Sequence, residues 1–117
     1  MELFDTTQIG LERALAGSAR RQTAIASNIA NVNTPGYQRK DVSFADQLHA
    51  AWGDEDAVKA VAPTTETDAS SPMRADGNSV DIDTESAEQA KNGLTYEAVS
   101  TVLKARNEIL QIALGVK

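Results

Sequence analysis

The sequence predicts a mainly α protein in which long N- and C-terminal helices pack as a coiled-coil-like pair, with a short central hairpin and loop segment. Apolar residues recur at a 4-3 spacing near both ends of the 117-residue chain, whereas the middle is polar and rich in turn-forming residues. We expect an N-terminal helix over residues 1–33, a turn, linker and small hairpin over 34–82, and a C-terminal helix over 83–117. A chain of this length forms one structural unit at most.

Several start signals place the beginning of the first helix at Asp5. Asp5 is a favourable N-cap residue, and Gln8 stands at the reciprocal capping-box position. Phe4 and Ile9 have the spacing of a hydrophobic staple. A seam with two polar interruptions then follows the spacing of a coiled coil: Leu11, Leu15, Ser18, Gln22, Ile25, Ile29 and Val32.

The first helix is predicted to end in a defined turn. Asn33 is suited to the left-handed conformation that terminates a helix, and Thr34 precedes a proline and therefore favours extended geometry. Pro35 and Gly36 fit the two central positions of a type II turn, because proline presets the first φ angle and glycine accepts the positive second one. Tyr37 should then point back at the helix end.

The second helix is predicted to begin near Asp83, where Glu85 and Glu88 favour the positive end of the helix dipole. Whether Asn92-Gly93 breaks this helix stays open, since glycine costs about 1 kcal/mol relative to alanine in a helix interior. The apolar residues form two adjacent stripes, one of Ala98, Val102, Ala105, Ile109, Ile112 and Val116 and one of Tyr96, Val99, Leu103, Leu110 and Ala113.

These stripes are wider than one partner helix can cover, so a two-helix pair should leave one of them in water. A contiguous exposed apolar strip usually marks an intermolecular interface. The alternative is that the middle segment folds back over the strip, although it has few large apolar residues. We predict that the assembly interface consists of apolar positions on both helices: Leu11, Leu15, Ile25, Ile29, Val32, Val99, Val102, Leu103, Ile109, Leu110 and Ile112.

In the middle segment, residues 73–75 and 79–82 are predicted to form two short strands joined at Asp76-Gly77-Asn78. Residues 53–72 are rich in Asp, Glu, Thr, Ala, Ser and Pro, and we expect a mobile surface linker there. Arg39 and Lys40 are interpreted as a solvated or interfacial pair.

Composition excludes several classes of function. The net charge of −6 argues against a nucleic-acid partner, and the absence of cysteine removes thiolate catalysis and cysteine-ligated metals. His49 is the only histidine, with no catalytic arrangement around it, and the acidic residues between Asp76 and Glu88 lack the spacing of a calcium loop. We expect neither an enzyme nor a cofactor. No apolar run is long enough for a membrane span, and the N-terminus lacks the features of a secretory signal.

The run Asn28-x-x-Asn31-x-x-Thr34-Pro35-Gly36-Tyr37 closely resembles the signature of flagellar axial rod and hook proteins. Two further passages resemble the flagellar basal-body rod protein family, and its proximal rod members most: Asp41-Val42-Ser43-Phe44, and Asp76-Gly77-Asn78-Ser79-Val80-Asp81-Ile82-Asp83 followed by Asn92 and Tyr96. Residues 49–72 carry no resemblance.

The resemblance implies a structural subunit of the proximal rod that assembles with copies of itself and with other rod proteins to transmit torque. Its implied partners also include the adaptor between rod and membrane ring and, transiently, the flagellar type III export apparatus. The subunit would reach the basal body without a cleaved signal peptide. Phe44 and Leu48 resemble an element that early export substrates present to the export gate, and Asn28 and Asn31 are candidates to fix register by bonding neighbouring subunits. The alternatives are a different rod subunit or a helical adaptor that never polymerises.

Overall fold

The computed structural model describes residues 5–115, and its two long helices pack against each other as predicted. The elements in chain order are α1 (Thr6–Ala30), β1 (Lys40–Ser43), α2 (Ala45–Ala51), α3 (Glu55–Ala60), β2 (Thr64–Thr67) and α4 (Ile82–Ala113). α1 and α4 are antiparallel, because the end of α1 lies beside the start of α4. The mainly α fold is confirmed.

The starts of both long helices are capped by aspartate. An Asp5 carboxylate oxygen accepts from the Gln8 amide over 2.9 Å, and an Asp81 oxygen accepts from the Asp83 amide over 2.9 Å. The prediction that the Gln8 side chain completes a capping box is wrong. That side chain bonds Glu12 and Arg106 of α4 instead. Phe4 of the predicted staple and Val116 of the predicted stripe lie outside the described residues.

α4 runs without interruption through Asn92 and Gly93. Its 32 residues span roughly 48 Å at about 1.5 Å per residue. Next to Gly93, the Asn92 side chain anchors the helix to the Ser18 carbonyl of α1. The question left open by the sequence is therefore settled in favour of one continuous helix.

The middle segment differs from the prediction. The two strands are β1 and β2, paired antiparallel with Lys40 opposite Thr67 and Ser43 opposite Thr64, and residues 73–82 form no strands. The expectation of a mobile linker at 53–72 is also wrong, because α3 and β2 form there and both lie against α1. The middle segment does fold back, but onto α1 and not over the exposed apolar strip of α4.

Two glycines on α1 let the middle segment approach closely. A Cβ atom at Gly10 would lie 2.4 Å from the ring of Trp52, and one at Gly17 would lie 2.5 Å from the ring of Phe44. The Phe44 ring packs with Ala24 and Val42 in a small apolar core. The rings of the middle segment therefore occupy the space that two missing side chains leave on the helix.

The Cα atoms of the subunit extend over 61 × 28 × 14 Å. The long dimension follows the two long helices, and the middle segment widens the subunit on one side. Within residues 5–115, no helix combines the length and the apolar character that crossing a membrane requires.

Candidate assembly site

The turn after α1 has the predicted geometry at its glycine. Gly36 has a φ angle of 75°, and the Tyr37 amide donates to the Thr34 carbonyl over 3.2 Å, as in a type II turn. The left-handed conformation expected at Asn33 is wrong, since Asn31 caps the helix with a φ of −106° and no non-glycine residue in the described chain has a positive φ. The helix ends at Ala30, three residues before the predicted end at residue 33.

The two signature asparagines each bond a residue of the turn. The hydroxyl of Tyr37 donates to the Asn28 side-chain oxygen over 3.2 Å, and the hydroxyl of Thr34 donates to the Asn31 side-chain oxygen over 3.1 Å. Asn28, which is fully buried, also exchanges bonds of 2.8 and 2.9 Å with the backbone of Lys40. Both asparagines bond residues of their own chain here, and a role in fixing register between subunits stays a prediction.

Asn78 holds the end of α1 from a distant part of the sequence. Its buried side-chain amide donates to the carbonyl oxygens of Asn31, Val32 and Thr34 at 2.9, 3.2 and 2.8 Å. These carbonyls have no partner within the helix because they follow its last turn. Asn78 thus supplies the donors that a helix C-terminus lacks.

A buried ion pair ties β1 to the start of α4. The Arg39 guanidinium donates to Glu85 over 2.6 Å and to Asp68 over 2.8 Å, and the Asn28 amide donates to the second Glu85 oxygen over 3.1 Å. Hydrogen bonds from Ser70, Ser71 and Arg39 hold the pKa of the Asp68 carboxyl well below its usual range. The interpretation of Arg39 as a solvated or interfacial cation is therefore wrong. We call Asn28, Arg39, Asn78 and Glu85 the exit-turn network.

Polar contacts also set the register of α1 against α4 elsewhere. The Asn92 side-chain amide donates to the Ser18 carbonyl over 2.8 Å and to the Gln22 side chain over 3.2 Å. Ser18 and Gln22 are the two polar interruptions of the α1 seam, so both of them bond Asn92. At the far end, Arg106 pairs with Asp5 over 3.0 Å. A residue slip between the helices would leave these groups unpaired.

One of the two stripes predicted on α4 is exposed. Ile109 and Ile112 are 65% and 71% exposed, and Leu94 at the start of the same face is also exposed. We define the α4 stripe by its exposed apolar residues in the described chain: Leu94, Ala98, Val102, Ala105, Ile109 and Ile112. The other stripe faces α1 through buried Leu103 and half-buried Val99 and Leu110.

The residues predicted for the assembly interface therefore separate into two groups. Val102, Ile109 and Ile112 are exposed. The remaining ones are buried or half-buried within the subunit: Leu11, Leu15, Ile25, Ile29, Val32, Val99, Leu103 and Leu110. Ile25 and Leu103 are only 2% and 8% exposed, so they stabilise the subunit and offer no surface to a neighbour.

The candidate export element lies partly in the core. Phe44 is 5% exposed, beneath the guanidinium of Arg21 at 4.9 Å from the ring centroid, and Leu48 is half-buried. His49 lies on the surface. Residues 5–115 contain no group of three or more His, Cys, Asp or Glu side chains able to hold a metal ion.

Sequence reasoning missed Arg39, Asn78 and Glu85 as members of one network. Local pattern assigns Glu85 to the helix dipole and Asn78 to a hairpin turn. Local pattern gives no sign that residues 46 positions apart form an ion pair. The one available signal was the resemblance of the passage from Asp76 to Asp83, which lies directly against the exit turn.

Comparisons with known proteins agree with this geometry. A family model described as "Flagella basal body rod protein" matches residues 11–38, which span most of α1 and its exit turn. A "Flagellar basal body rod protein FlgB" from Bacillus subtilis is 32% identical over 114 residues, covering 85% of each chain. Proteins of the same name from Escherichia coli K12 and Salmonella typhimurium are 34% and 36% identical, over 86% and 79% of this chain and 89% and 80% of theirs. The chain therefore belongs to the FlgB family of flagellar basal body rod proteins.

Proposed function

We propose that this structural rod subunit joins its neighbours through the α4 stripe, and that it does so in the proximal rod, where the assembly transmits torque. The observation that carries the proposal is the row of exposed large apolar side chains on α4, among them Val102, Ile109 and Ile112. Fully burying one such side chain contributes about 1.5 to 3 kcal/mol. A neighbouring helix laid along the stripe would recover that energy several times over.

The internal architecture supports a role in bearing load. The exit-turn network fastens the end of α1 to the start of α4, and the Asp5–Arg106 pair fastens the opposite ends. A force applied to one helix is therefore passed to the other at both ends of the subunit. The role is structural and not catalytic.

The proposed neighbours are copies of this chain, other rod proteins and the adaptor between rod and membrane ring. We place the assembled subunit in the basal body, reached through the flagellar type III apparatus without a cleaved signal peptide. Phe44 and Leu48 form the element presented to that apparatus. Because Phe44 is buried in the folded subunit, the element is accessible only when the middle segment is detached from α1.

A charge placed in the stripe tests the assembly proposal. Ile112→Asp should leave the subunit folded, since the side chain is 71% exposed, but should block incorporation into the rod by burying an unpaired carboxylate. Gln111→Asp is the matched control, because Gln111 is also exposed and lies outside the stripe. Swimming motility and the amount of subunit in isolated basal bodies are measured. Normal assembly of the Ile112 variant would remove the stripe as the interface.

The export proposal has its own test. Phe44→Ala should lower secretion, but it also removes a core side chain, so a variant with a similar loss of packing is needed beside it. Val58→Ala, at a fully buried position in α3, provides that control. Equal secretion of the two variants would show that Phe44 acts only in the fold.

A further inference from the structure

A groove runs between α1 and α4 on the side of α4 that faces away from the stripe. It is lined by four residues of α1 and four of α4: Ala19, Gln22, Thr23 and Ala26, and Gln89, Asn92, Gly93 and Tyr96. At about 100° per residue, Tyr96 lies across the helix axis from Leu94 and Ile109. The groove and the stripe therefore cannot belong to one continuous patch.

The floor of the groove contains a polar atom without a partner. Asn92 is 4% exposed, and both bonds of its side chain are made by the amide nitrogen toward Ser18 and Gln22. Its side-chain oxygen is buried and accepts no hydrogen bond from any described residue. Asn92 therefore joins α1 to α4 at the floor of the groove through its amide nitrogen alone.

The walls of the groove and the stripe share one spacing. Ala19, Thr23 and Ala26 follow a 4-3 pattern on α1, and Gln89, Gly93 and Tyr96 follow it on α4. The stripe repeats it from Ala98 to Ile112. The small residues of the groove leave holes, and the valine and isoleucines of the stripe supply side chains of a size to fill them.

Charge allows the same pairing. The chain carries a net charge of −6, so most of its surface repels a second copy. None of the eight residues that line the groove is charged, and none of the residues of the stripe is charged. These are two uncharged surfaces on opposite sides of one helix.

We infer that the α4 stripe of one subunit seats in the α1–α4 groove of a second copy. Because the two surfaces differ and face apart, the contact is heterologous and leaves a stripe and a groove open for further copies. Such a contact builds a ring or an open helical array, and not a closed two-fold dimer. The inference rests on the proposed function, since it supplies the partner surface of the stripe.

Disulfide trapping tests the pairing directly, because the chain contains no cysteine. Ala26→Cys places a thiol in the groove, and Ile109→Cys places one on the stripe, both at exposed positions. The two purified full-length variants are mixed, oxidised with diamide and separated without reductant. We expect the mixed dimer to exceed either homodimer. Gln111→Cys, at an exposed position of α4 outside both the groove and the stripe, replaces the groove variant in the control mixture.

A second variant closes the groove without disturbing the subunit. A Cβ atom at Gly93 meets no atom within 4 Å, so Gly93→Leu leaves the subunit folded and fills the groove. Added to the Ala26→Cys chain, it should lower the trapped fraction at least about tenfold.

The other outcomes overturn the inference in distinguishable ways. Preferential homodimers of Ile109→Cys would mean that stripe pairs with stripe, which leaves the proposed function intact. If no disulfide-linked dimer forms, the groove is not the partner surface of the stripe. The proposed function would then be decided by the effect of Ile112→Asp on rod incorporation. Trapping unaffected by Gly93→Leu would likewise exclude the groove.

Discussion

The side-chain amide of Asn78 donates to the Thr34 carbonyl over 2.8 Å, so the turn that ends α1 is held by a residue 44 positions downstream. Two backbone hydrogen bonds join the same turn to residues 76–79. The Gly36 amide donates to the Asp76 carbonyl over 2.9 Å, and the Ser79 amide donates to the Tyr37 carbonyl over 3.0 Å. Asp81, which caps α4, follows almost at once. The end of one long helix and the beginning of the other are therefore formed by the same cluster of bonds.

Replacing Asn78 should destabilise the whole subunit. Asn78→Ala removes the donors to the α1 carbonyls and leaves the buried Val80 amide without its acceptor. We expect a loss of about 2 to 3 kcal/mol in the free energy of unfolding. Urea denaturation followed by circular dichroism measures it. Asn33→Ala, at an exposed position of the same turn, should change that energy by less than about 0.5 kcal/mol.

The stability of the subunit should depend on pH through Asp68. The pKa of its carboxyl is lowered in the folded chain by the hydroxyls of Ser70 and Ser71 and by Arg39. A lowered folded pKa contributes stability above the unfolded value of about 3.9, and this contribution is lost as the pH falls toward the folded value. Wild type should therefore exceed Asp68→Asn in free energy of unfolding at pH 6, and the gap should narrow below about pH 4.

Asp46→Asn is the control for this titration, because Asp46 is exposed at the start of α2. Its free energy of unfolding should stay close to that of wild type at pH 6. A gap between wild type and Asp68→Asn that is constant from pH 6 to pH 3 would contradict the role of the ionised carboxylate.

Two glycine substitutions should act in opposite directions. Gly17→Ala places a Cβ atom 2.5 Å from the Phe44 ring and should lower the thermal midpoint of unfolding, despite the better helix propensity of alanine. Gly93→Ala meets no neighbouring atom and should stabilise the subunit by about 0.5 to 1 kcal/mol. Both variants are compared by calorimetry. A stabilised Gly17 variant would mean that the ring does not lie on the helix.

Gly36 should not tolerate a branched side chain. Its φ of 75° costs an L-residue about 1 to 2 kcal/mol, and valine is less tolerant still. Gly36→Val should reduce the free energy of unfolding by at least that amount and weaken rod assembly. Gly53→Val tests the same backbone strain away from the exit turn, since Gly53 has a φ of 98° and its Cβ would meet nothing within 4 Å. Assembly should survive in that variant.

Both long helices could be predicted from sequence because their signals are local. The Asp5 cap, the 4-3 spacing and the turn at Pro35-Gly36 each involve residues close together in the chain. The exposure of the α4 stripe also followed from local reasoning, since a single partner helix cannot cover two stripes.

The middle segment could not be predicted because its structure depends on distant contacts. β2 reads Thr-Thr-Glu-Thr, with every residue exposed and no apolar alternation, and it forms only because β1 offers its edge. The turn at Asp76-Gly77-Asn78 does exist, with the Gly77 amide bonded to the Arg74 carbonyl over 2.9 Å. The Arg74 amide also donates to the Asn78 carbonyl over 2.9 Å, but the pairing stops there and forms no strands, and Ser79 bonds the exit turn of α1.

The dimensions of the subunit also constrain any rod built from it. A body that is 61 Å long and only 14 Å thick bends readily across its narrow dimension. Flexural rigidity rises much faster than thickness when layers are bonded so that they cannot slide. Helical subunits of this shape therefore become a stiff shaft only when adjacent copies are locked against shear along their length.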